Sequence, residues 1–200
     1  PVNLVLNITP AAVVNAGVDA AICETGIYTI VGASVSNAPS GAWTSSGTGA
    51  FNGGGVFGVA TTYTPSAADI IAGSVTLTLT SGDPAGECGV KVDNLVLTIT
   101  PQPVVSVAGV ADTEICSDSG NYPIAGATAS NYSTLTWSTA GDGSFIDNTL
   151  LNPTYVPGTA DRGAATVTLT LTAGGNGLCG AVPVNLVLNI TPAAVVNAGV

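Results

Sequence analysis

Hydrophobic and polar residues alternate with a period of two along most of this 200-residue chain. Residues 75–80 (VTLTLT) and 167–172 (VTLTLT) are the clearest examples, with aliphatic side chains at every second position and threonine between them. Because successive side chains of a β-strand point to opposite faces, such segments predict strands with one buried and one wet face. The leucines predicted to face the core here are Leu77, Leu79, Leu169 and Leu171.

Further short segments of β-branched and aromatic residues, separated by clusters of Gly, Asn, Asp and Pro, predict the remaining strands. In the first half these are strand A at 13–16, strand B at 27–33, strand C around Trp43, strand E at 61–64 and strand G at 94–100. One helical turn is expected at 67–71. Seven short strands predict an all-β, Ig-like Greek-key sandwich, and a continuous β-solenoid is the alternative. The aromatic residues assigned to the core are Trp43, Trp137, Tyr63 and Tyr155.

The sequence repeats itself. Residues 1–18 (PVNLVLNITPAAVVNAGV) are identical to residues 183–200, and the motif NITP or TITP ends at Pro10, Pro101 and Pro192, which sets a unit of 91 residues. A repeat of this size predicts a tandem array of domains. We expect Ig-like units at 10–100 and 101–191, flanked by the last strand of a preceding repeat at 1–9 and the first strand of the next at 192–200.

Composition excludes several classes of function. The net charge is −10 with only two basic residues, and charged residues are 7% of the chain. The chain therefore lacks the basic surface that binds nucleic acid or an anionic membrane, and no run of 18 apolar residues predicts a membrane span. With no histidine, the chain has no imidazole for general-base or triad chemistry, so we expect no enzyme activity and no cofactor.

The four cysteines fall two per unit, at Cys23 and Cys88 and then at Cys116 and Cys179. An even number at repeated positions indicates disulfides and an oxidising, extracytoplasmic compartment. Bonds within each unit (Cys23–Cys88 and Cys116–Cys179) would join opposite ends of a sandwich, so the sequence favours an inter-unit Cys23–Cys179 bond. Cys88 would then bond to a preceding unit. Bonds within the units and buried free thiols remain the alternatives.

Calcium is the one metal for which the sequence offers candidates. Asp142 and Asp147 lie close together in AGDGSFIDN, and Asp83 and Glu87 lie in SGDPAGE. Oxygen-rich turns of sandwich domains can bind Ca²⁺, but no DxDxDG run is present and Thr48 stands where the second unit has Asp142. Solvated acidic turns are the alternative reading.

The consensus of the repeat consists of the segments VNAG, IC, G.Y.I.GA, W, G.F, YTP, AD, VTLTLT, C and NLVLTITP. This consensus resembles the PKD-like and Ig-like repeats of giant cell-surface proteins in Bacteroidetes, and among these it looks most like the gliding-motility adhesins. This resemblance implies export by the type IX system and a filament attached to the outer surface of the cell. It also implies partners in neighbouring repeats, in surface motility machinery and in external polysaccharide or substratum.

We therefore predict a structural stalk segment that gives length, stiffness and force transmission in adhesion or gliding. A polysaccharide-binding surface module and a surface-layer lattice protein are the alternatives. Sugar-binding modules use exposed aromatic side chains as stacking platforms, so buried tryptophans favour the stalk.

Overall fold

The computed structural model describes residues 2–6, 8–84, 86, 88–194 and 196. The chain folds into two compact units, residues 1–101 and 102–200, and each unit has its own hydrophobic core. Both units are β-sandwiches, so the prediction of an all-β protein with two sandwich domains in tandem is confirmed.

The described residues of unit 1 form nine strands and one short helix. A four-stranded sheet has the order β2-β9-β8-β5, and the second layer consists of the pair β1-β4 and the three-stranded sheet β3-β7-β6. All pairs are antiparallel except β2 with β9, which run parallel. The bounds are β1 Val13–Asn15, β2 Ala20–Cys23, β3 Tyr28–Thr29, β4 Ser34–Ser36, β5 Gly41–Ser45, β6 Ala50–Phe51, β7 Thr62–Thr64, α1 Ala67–Ala72, β8 Ser74–Ser81 and β9 Val92–Thr100, with a 3₁₀ turn at Asn52–Gly55.

Unit 2 repeats this arrangement. Its four-stranded sheet has the order β11-β18-β17-β14, and its second layer consists of β10-β13 and β12-β16-β15. Strands β11 and β18 form the parallel pair. The bounds are β10 Val104–Ser106, β11 Glu114–Cys116, β12 Tyr122–Pro123, β13 Thr128–Ser130, β14 Thr134–Thr139, β15 Ser144–Phe145, β16 Thr154–Val156, α2 Thr159–Gly163, β17 Thr166–Gly174 and β18 Val182–Thr191.

The period-two pattern places the core where the sequence predicts it. On β8, Leu77 pairs with Leu95 of β9 and Leu79 pairs with Trp43 of β5, and these side chains are buried. The threonines between them lie on the opposite, wetter face. Leu169 and Leu171 of β17 are buried in the same way in unit 2.

Two local expectations are wrong. No strand is predicted between strand A at 13–16 and strand B at 27–33, but Ala20–Cys23 form strand β2, because their backbone pairs with the last strand, β9, some 77 residues away along the chain. Strand B, predicted as one piece at 27–33, is only the two-residue strand β3, and the next strand, β4, begins at Ser34, outside the predicted range. Between them the backbone passes through Gly32 with φ of +74°, a left-handed conformation that glycine adopts readily.

Candidate functional sites: a buried carboxylate in each unit and cysteines at the unit ends

In unit 1 the helix α1 carries Asp69, whose side chain is only 2% exposed. Its Oδ2 atom accepts hydrogen bonds from the Tyr63 hydroxyl (2.7 Å) and from the backbone N–H groups of Gly49 (2.9 Å) and Ser66 (3.0 Å). Its Oδ1 atom accepts from the N–H of Thr48 (3.0 Å). One carboxylate therefore ties together the β5–β6 loop, strand β7 and the start of the helix.

The environment of this carboxylate has opposing effects on its pKa. Burial raises the pKa of Asp69, but the hydrogen bonds from Ser66, Tyr63, Thr48 and Gly49 together lower the pKa by more than burial raises it. The pKa of Asp69 therefore lies below its ordinary value. Hydrogen bonds to the charged form of a carboxylate stabilise that form. With four donors around it, Asp69 acts as a structural group.

Unit 2 builds the same cluster around Asp161, which is also buried. Its carboxylate accepts from the Tyr155 hydroxyl (2.5 Å) and from the backbone N–H groups of Gly158 (3.0 Å) and Asp142 (3.2 Å). Burial and the hydrogen bond to Asp161 raise the pKa of Tyr155 to about 12. Sequence reasoning missed both aspartates; the pattern S-x-x-D at Ser66 and Asp69, a helix N-terminus signature close to the capping box, is the clue that could have found the first.

Glycines in the loop before β6 make room for the buried carboxylate. A Cβ atom at Gly47 would lie 1.9 Å from Oδ1 of Asp69, and one at Gly49 would lie 2.4 Å from the Tyr63 hydroxyl. In unit 2 a Cβ atom at Gly141 would lie 1.7 Å from the Asp161 carboxylate. The Gly-rich turns that follow each tryptophan are therefore required by close approach to this group.

The two units cap their helices in different ways. In unit 1, Ser66 is the N-cap residue and its Oγ accepts from the N–H of Asp69 (3.2 Å). In unit 2 the N-cap residue is Gly158, and the carboxylate of Asp142 replaces the missing side chain by accepting from the N–H groups of Ala160 (2.9 Å) and Asp161 (3.0 Å). These bonds hold the pKa of Asp142 below its usual range.

The calcium candidates are engaged in local hydrogen bonds. Asp142 caps α2, and Asp147 accepts from the backbone N–H (2.9 Å) and the hydroxyl (2.6 Å) of Thr149, which lower the pKa of Asp147. Within the described residues, no group of three or more His, Cys, Asp or Glu side chains is placed to hold a metal ion. Glu87 lies outside the described residues, so the Asp83 and Glu87 pair stays a prediction.

The aromatic residues predicted for the core pack as one cluster in each unit. Phe51 lies between Trp43 and Tyr63, with ring centroids 6.0 and 4.9 Å away. In unit 2, Trp137, Phe145 and Tyr155 form the same cluster. Both tryptophans are buried, at 4% and 1% exposed, so neither offers a stacking platform for a sugar.

An open groove occurs at the same place in both units, between the start of β5 or β14 and the segment that follows β6 or β15. The groove of unit 2 has a volume of about 520 Å³ and that of unit 1 about 400 Å³. The unit 2 groove is lined by the exposed Tyr132, by leucines and by hydroxyl groups; unit 1 has Ala38 and Pro39 at the positions of Tyr132 and Ser133.

In unit 1 the two cysteines lie at opposite ends of the longest strand. Cys23 ends β2 and pairs in register with Thr100, the last residue of β9. Cys88 lies in the β8–β9 connection, near the N-terminal end of the unit, and its Sγ lies 3.4 Å from the carbonyl oxygen of Thr9. Cys23 is disulfide-bonded, whereas Cys88 is a free, half-exposed thiol.

In unit 2 the equivalent cysteines have the opposite states. Cys116 ends β11 in register with Thr191 and is a free thiol. Cys179 lies in the β17–β18 connection and is disulfide-bonded. That connection lies at the N-terminal end of the unit, because Ser133 bonds to Gly175 there and the neighbouring Asn131 bonds to Gln102.

These features define the class of protein. Strands β1, β3/β4, β7 and β6 form one layer and β5, β8, β9 and β2 the other. This is the A-B-E-D and C-F-G division of an Ig-type sandwich, with β2 added at the edge beside β9. The chain is thus a tandem pair of Ig-like β-sandwich domains. No helix among the described residues is long and apolar enough to cross a membrane.

No protein-family model and no curated protein matches the chain. Among solved structures it is similar to the protocadherin gamma B7 EC3-6 cis-dimer (13% identity, TM-score 0.46, covering 90% of this chain and 47% of that one). It is also similar to Sidekick-1 immunoglobulin domains 1-4 (15% identity, TM-score 0.48, covering 90% of this chain and 49% of that one). A third similar structure is mouse cadherin-23 EC22-24 (11% identity, TM-score 0.49, covering 94% of this chain and 65% of that one). The chain spans about half the length of the first two.

Proposed function

We propose that this chain is a structural segment of an extracellular stalk or filament, in which tandem β-sandwich units supply length and carry force. The observation that carries this proposal is the strand arrangement within each unit. The parallel β2–β9 pair joins an early strand to the last strand across four residue pairs, Ala20↔Leu97 to Cys23↔Thr100.

Parallel pairing loads the hydrogen bonds of this sheet edge in shear. When the two ends of unit 1 are pulled apart, β2 is drawn towards its N-terminus and β9 towards its C-terminus, along the strand axes. Because ladder hydrogen bonds run across the strands, they must break together instead of one by one. The β11–β18 pair places unit 2 in the same geometry.

The outer face of the four-stranded sheet suits an exposed stalk. In unit 1 this face carries Thr76, Thr78 and Thr80 of β8 and Asn94 and Thr98 of β9, all uncharged and partly or fully exposed, together with the exposed Val92 and Val96. Threonine combines high β-propensity with a wettable side chain. The surface is therefore hydrated without the basic groups that bind polyanions.

The finer part of the proposal follows from the sequence resemblance. We place the chain in a giant surface protein of the gliding-motility adhesin type, exported through the bacterial outer membrane and attached to surface motility machinery. Residues 1–9 would be the last strand of a preceding repeat and residues 192–200 the first strand of the next. The first segment is identical in sequence to residues 183–191, which include most of β18.

Single-molecule pulling of the chain tests the stalk. The N–H of Glu24 bonds to the carbonyl of Thr100, and since N–H groups alternate sides along a strand, that of Ile22 also faces β9 while that of Ala21 faces away. We expect Ile22→Pro to lower the unfolding force of unit 1 and Ala21→Pro to leave it unchanged. Ile22→Ala controls for the lost side chain. Equal unfolding forces for wild type and Ile22→Pro would contradict the mechanical role.

A polysaccharide-binding module is the second candidate, and the groove beside Tyr132 favours it. Sugar would stack on Tyr132 and bond to the hydroxyl groups of Ser133 and Thr134. Titration with neutral oligosaccharides, followed by chemical-shift changes, would show binding to wild type and at least tenfold weaker binding to Tyr132→Ala. If neither protein responds to any oligosaccharide, the candidate is abandoned.

A further inference from the structure

We propose that the unit 2 groove binds an extended, uncharged peptide segment of a partner protein as an added strand along the edge of β14. The site lies entirely within unit 2. Its lining is made of tyrosine, leucine, serine and threonine side chains and carries no charge. The volume of about 520 Å³ falls within the range of about 300–1,000 Å³ that is typical of ligand pockets.

Strand β14 leaves the backbone of one residue unpaired on the side of the groove. The strand pairs antiparallel with β17, and in such a pair the backbone groups of successive residues point alternately towards the partner and away from it. The N–H of Trp137 points away from β17, because it donates to the carbonyl of Asn148 (2.7 Å). The N–H and the carbonyl of Leu135, two residues earlier, therefore point the same way, and no described residue bonds to them there. An unpaired strand edge offers these groups to another strand.

Unit 1 shows what covers the same edge. Gly41 of β5 is the counterpart of Leu135, since each stands two residues before the tryptophan of its unit. In unit 1 the segment after β6 pairs with this edge. Val56, whose backbone is extended, forms an antiparallel bridge with Ala42, and the N–H of Phe57 donates to the carbonyl of Gly41 (3.0 Å). An uncharged segment with a central aromatic residue thus covers the edge of β5.

The corresponding segment of unit 2 bonds to the tryptophan side chain instead of the strand edge. The indole N–H of Trp137 donates to the carbonyl of Leu151 (3.3 Å), after a turn in which Asp147 accepts from the N–H of Thr149 (2.9 Å). In unit 1 the indole N–H of Trp43 is buried and has no hydrogen-bond partner among the described residues. The segment therefore bonds to the edge in unit 1 and to the indole in unit 2, where the edge stays open.

The strand geometry defines the guest segment. A residue placed opposite Leu135 in an antiparallel pair exchanges both backbone hydrogen bonds with it and has its side chain on the same face of the sheet. That face is the inner one, because Leu135 belongs to the core and Leu151 packs against the core. The central guest residue should therefore be large and apolar. Its two neighbours face outward, beside the exposed Thr134 and Thr136, and should be polar or small.

The peptide site goes beyond the proposed stalk and does not depend on it, since binding is measured without applied force. It competes with the sugar-binding candidate for the same groove. A neutral oligosaccharide would use the ring of Tyr132 and side-chain hydroxyl groups, whereas a peptide strand needs the backbone of Leu135. This requirement for the backbone separates the two ligands.

A pair of short peptides tests the strand pairing on the full chain. The probe is acetyl-Val-Thr-Phe-Thr-Val-amide, and the control differs only by a methyl group on the phenylalanine nitrogen, which removes the N–H that would donate to the carbonyl of Leu135. Binding is followed on the ¹⁵N-labelled chain by chemical-shift changes and by hydrogen exchange of the Leu135 amide. We expect the probe to shift this amide signal and slow its exchange. The methylated peptide should bind at least about fivefold more weakly, because one hydrogen bond is lost.

Leu150→Asp tests where the guest lies. Leu150 lines the groove and is 53% exposed, so the substitution places a charge beside the apolar centre of the peptide while leaving the core unchanged. Ile146→Asp is the matched control, because Ile146 is 70% exposed and is not among the lining residues. We expect Leu150→Asp to weaken binding at least about tenfold and Ile146→Asp to change it less than about twofold, since only the first charge is covered by the peptide.

Each contrary result overturns the peptide site. Equal affinities for the two peptides would show apolar adsorption without strand pairing, and equal affinities of the parent chain and Leu150→Asp would place the peptide outside the groove. Shifts with neutral oligosaccharides but with neither peptide would favour the sugar-binding candidate, and no response to the probe would show that the edge accepts no strand. If Leu150→Asp does not fold by circular dichroism, the comparison of the two peptides on the parent chain still decides.

Discussion

The carboxylate of Asp69 is the most connected polar group of unit 1, and Asp69→Asn tests whether it holds the fold together. The substitution keeps the shape of the side chain but replaces one acceptor oxygen with an NH₂ donor. The amide oxygen loses fewest bonds in the place of Oδ2, where it continues to accept from Tyr63, Gly49 and Ser66. The NH₂ group then faces the N–H of Thr48, and this buried backbone donor is left without an acceptor.

The expected loss is a measurable part of the stability of the unit. Leaving one buried donor unsatisfied costs about 1–3 kcal/mol, whereas a domain of this size has a free energy of unfolding of about 5–15 kcal/mol. With a urea m-value of about 1–3 kcal/mol/M, the unfolding midpoint of unit 1 should fall by about 1 M.

The assay uses the single tryptophan of each unit. In a Trp137→Phe background, Trp43 reports unit 1 alone, and urea unfolding is followed by its fluorescence for the parent and for Asp69→Asn. Asp83→Asn, the same chemical change on an exposed aspartate, is the matched control. Because the pKa of Asp69 is lowered in the folded state, its contribution is present above the unfolded value of about 3.9 and is lost as the pH falls through the folded value. The difference between parent and Asp69→Asn should therefore shrink in acid.

A midpoint shift no larger than that of Asp83→Asn would refute the reasoning, since it would mean that the N–H of Thr48 finds another partner at little cost. A shift that stays constant down to pH 2 would also refute it, because the ionised carboxylate would then not be the group that matters.

Two further predictions concern unit 2, measured through Trp137 in a Trp43→Phe background. Gly158→Ser alone should destabilise the unit, because a Cβ atom there would lie 2.1 Å from Oδ1 of Asp142, and Asp142→Thr alone should destabilise it by removing the helix cap. The double variant recreates the Thr48 and Ser66 arrangement of unit 1, so it should be more stable than the sum of the two single changes predicts. Simple additivity of the two changes would contradict this account of the helix caps. The pKa of Tyr155 is raised to about 12, so the contribution of this tyrosine to stability is fully present below its unfolded pKa of about 10 and is lost as the pH rises towards 12. Tyr155→Phe should remove this part of the dependence of unfolding on alkaline pH. If the variant and the parent show the same dependence, Tyr155 does not titrate with unfolding.

The parts of the fold that the sequence predicts are those in which the local pattern and the final environment agree. Strands β8, β9, β17 and β18 each bury every second residue, so alternation alone identifies their inward face. The spacing of Trp43, Phe51 and Tyr63 likewise anticipates an aromatic cluster, because large apolar side chains in strands of a small sandwich have few places to go except the core.

The parts that escape prediction depend on contacts distant in sequence. Strand β2 has no alternating pattern that distinguishes it from a turn, and only the edge of β9 makes it a strand. The buried carboxylates escape for a similar reason. Asp69 and Asp161 look like ordinary surface aspartates until the loop before β6 or β15 brings its N–H groups to them, and burial of an aspartate is rare unless it is paired or hydrogen-bonded.

One stretch of sequence shows how much of a strand is supplied by its neighbours. Leu186 is 5% exposed in β18, whereas Leu4, at the same place in the identical N-terminal segment, is 93% exposed and lies in no strand. The alternation is the same; what differs is the presence of partner strands. Burying a leucine or isoleucine side chain stabilises a protein by about 1.5–3 kcal/mol, so Leu4, Leu6 and Ile8 together represent about 5–9 kcal/mol. This free energy is gained only where partner strands cover the side chains, as they do for Leu186, Leu188 and Ile190 of β18.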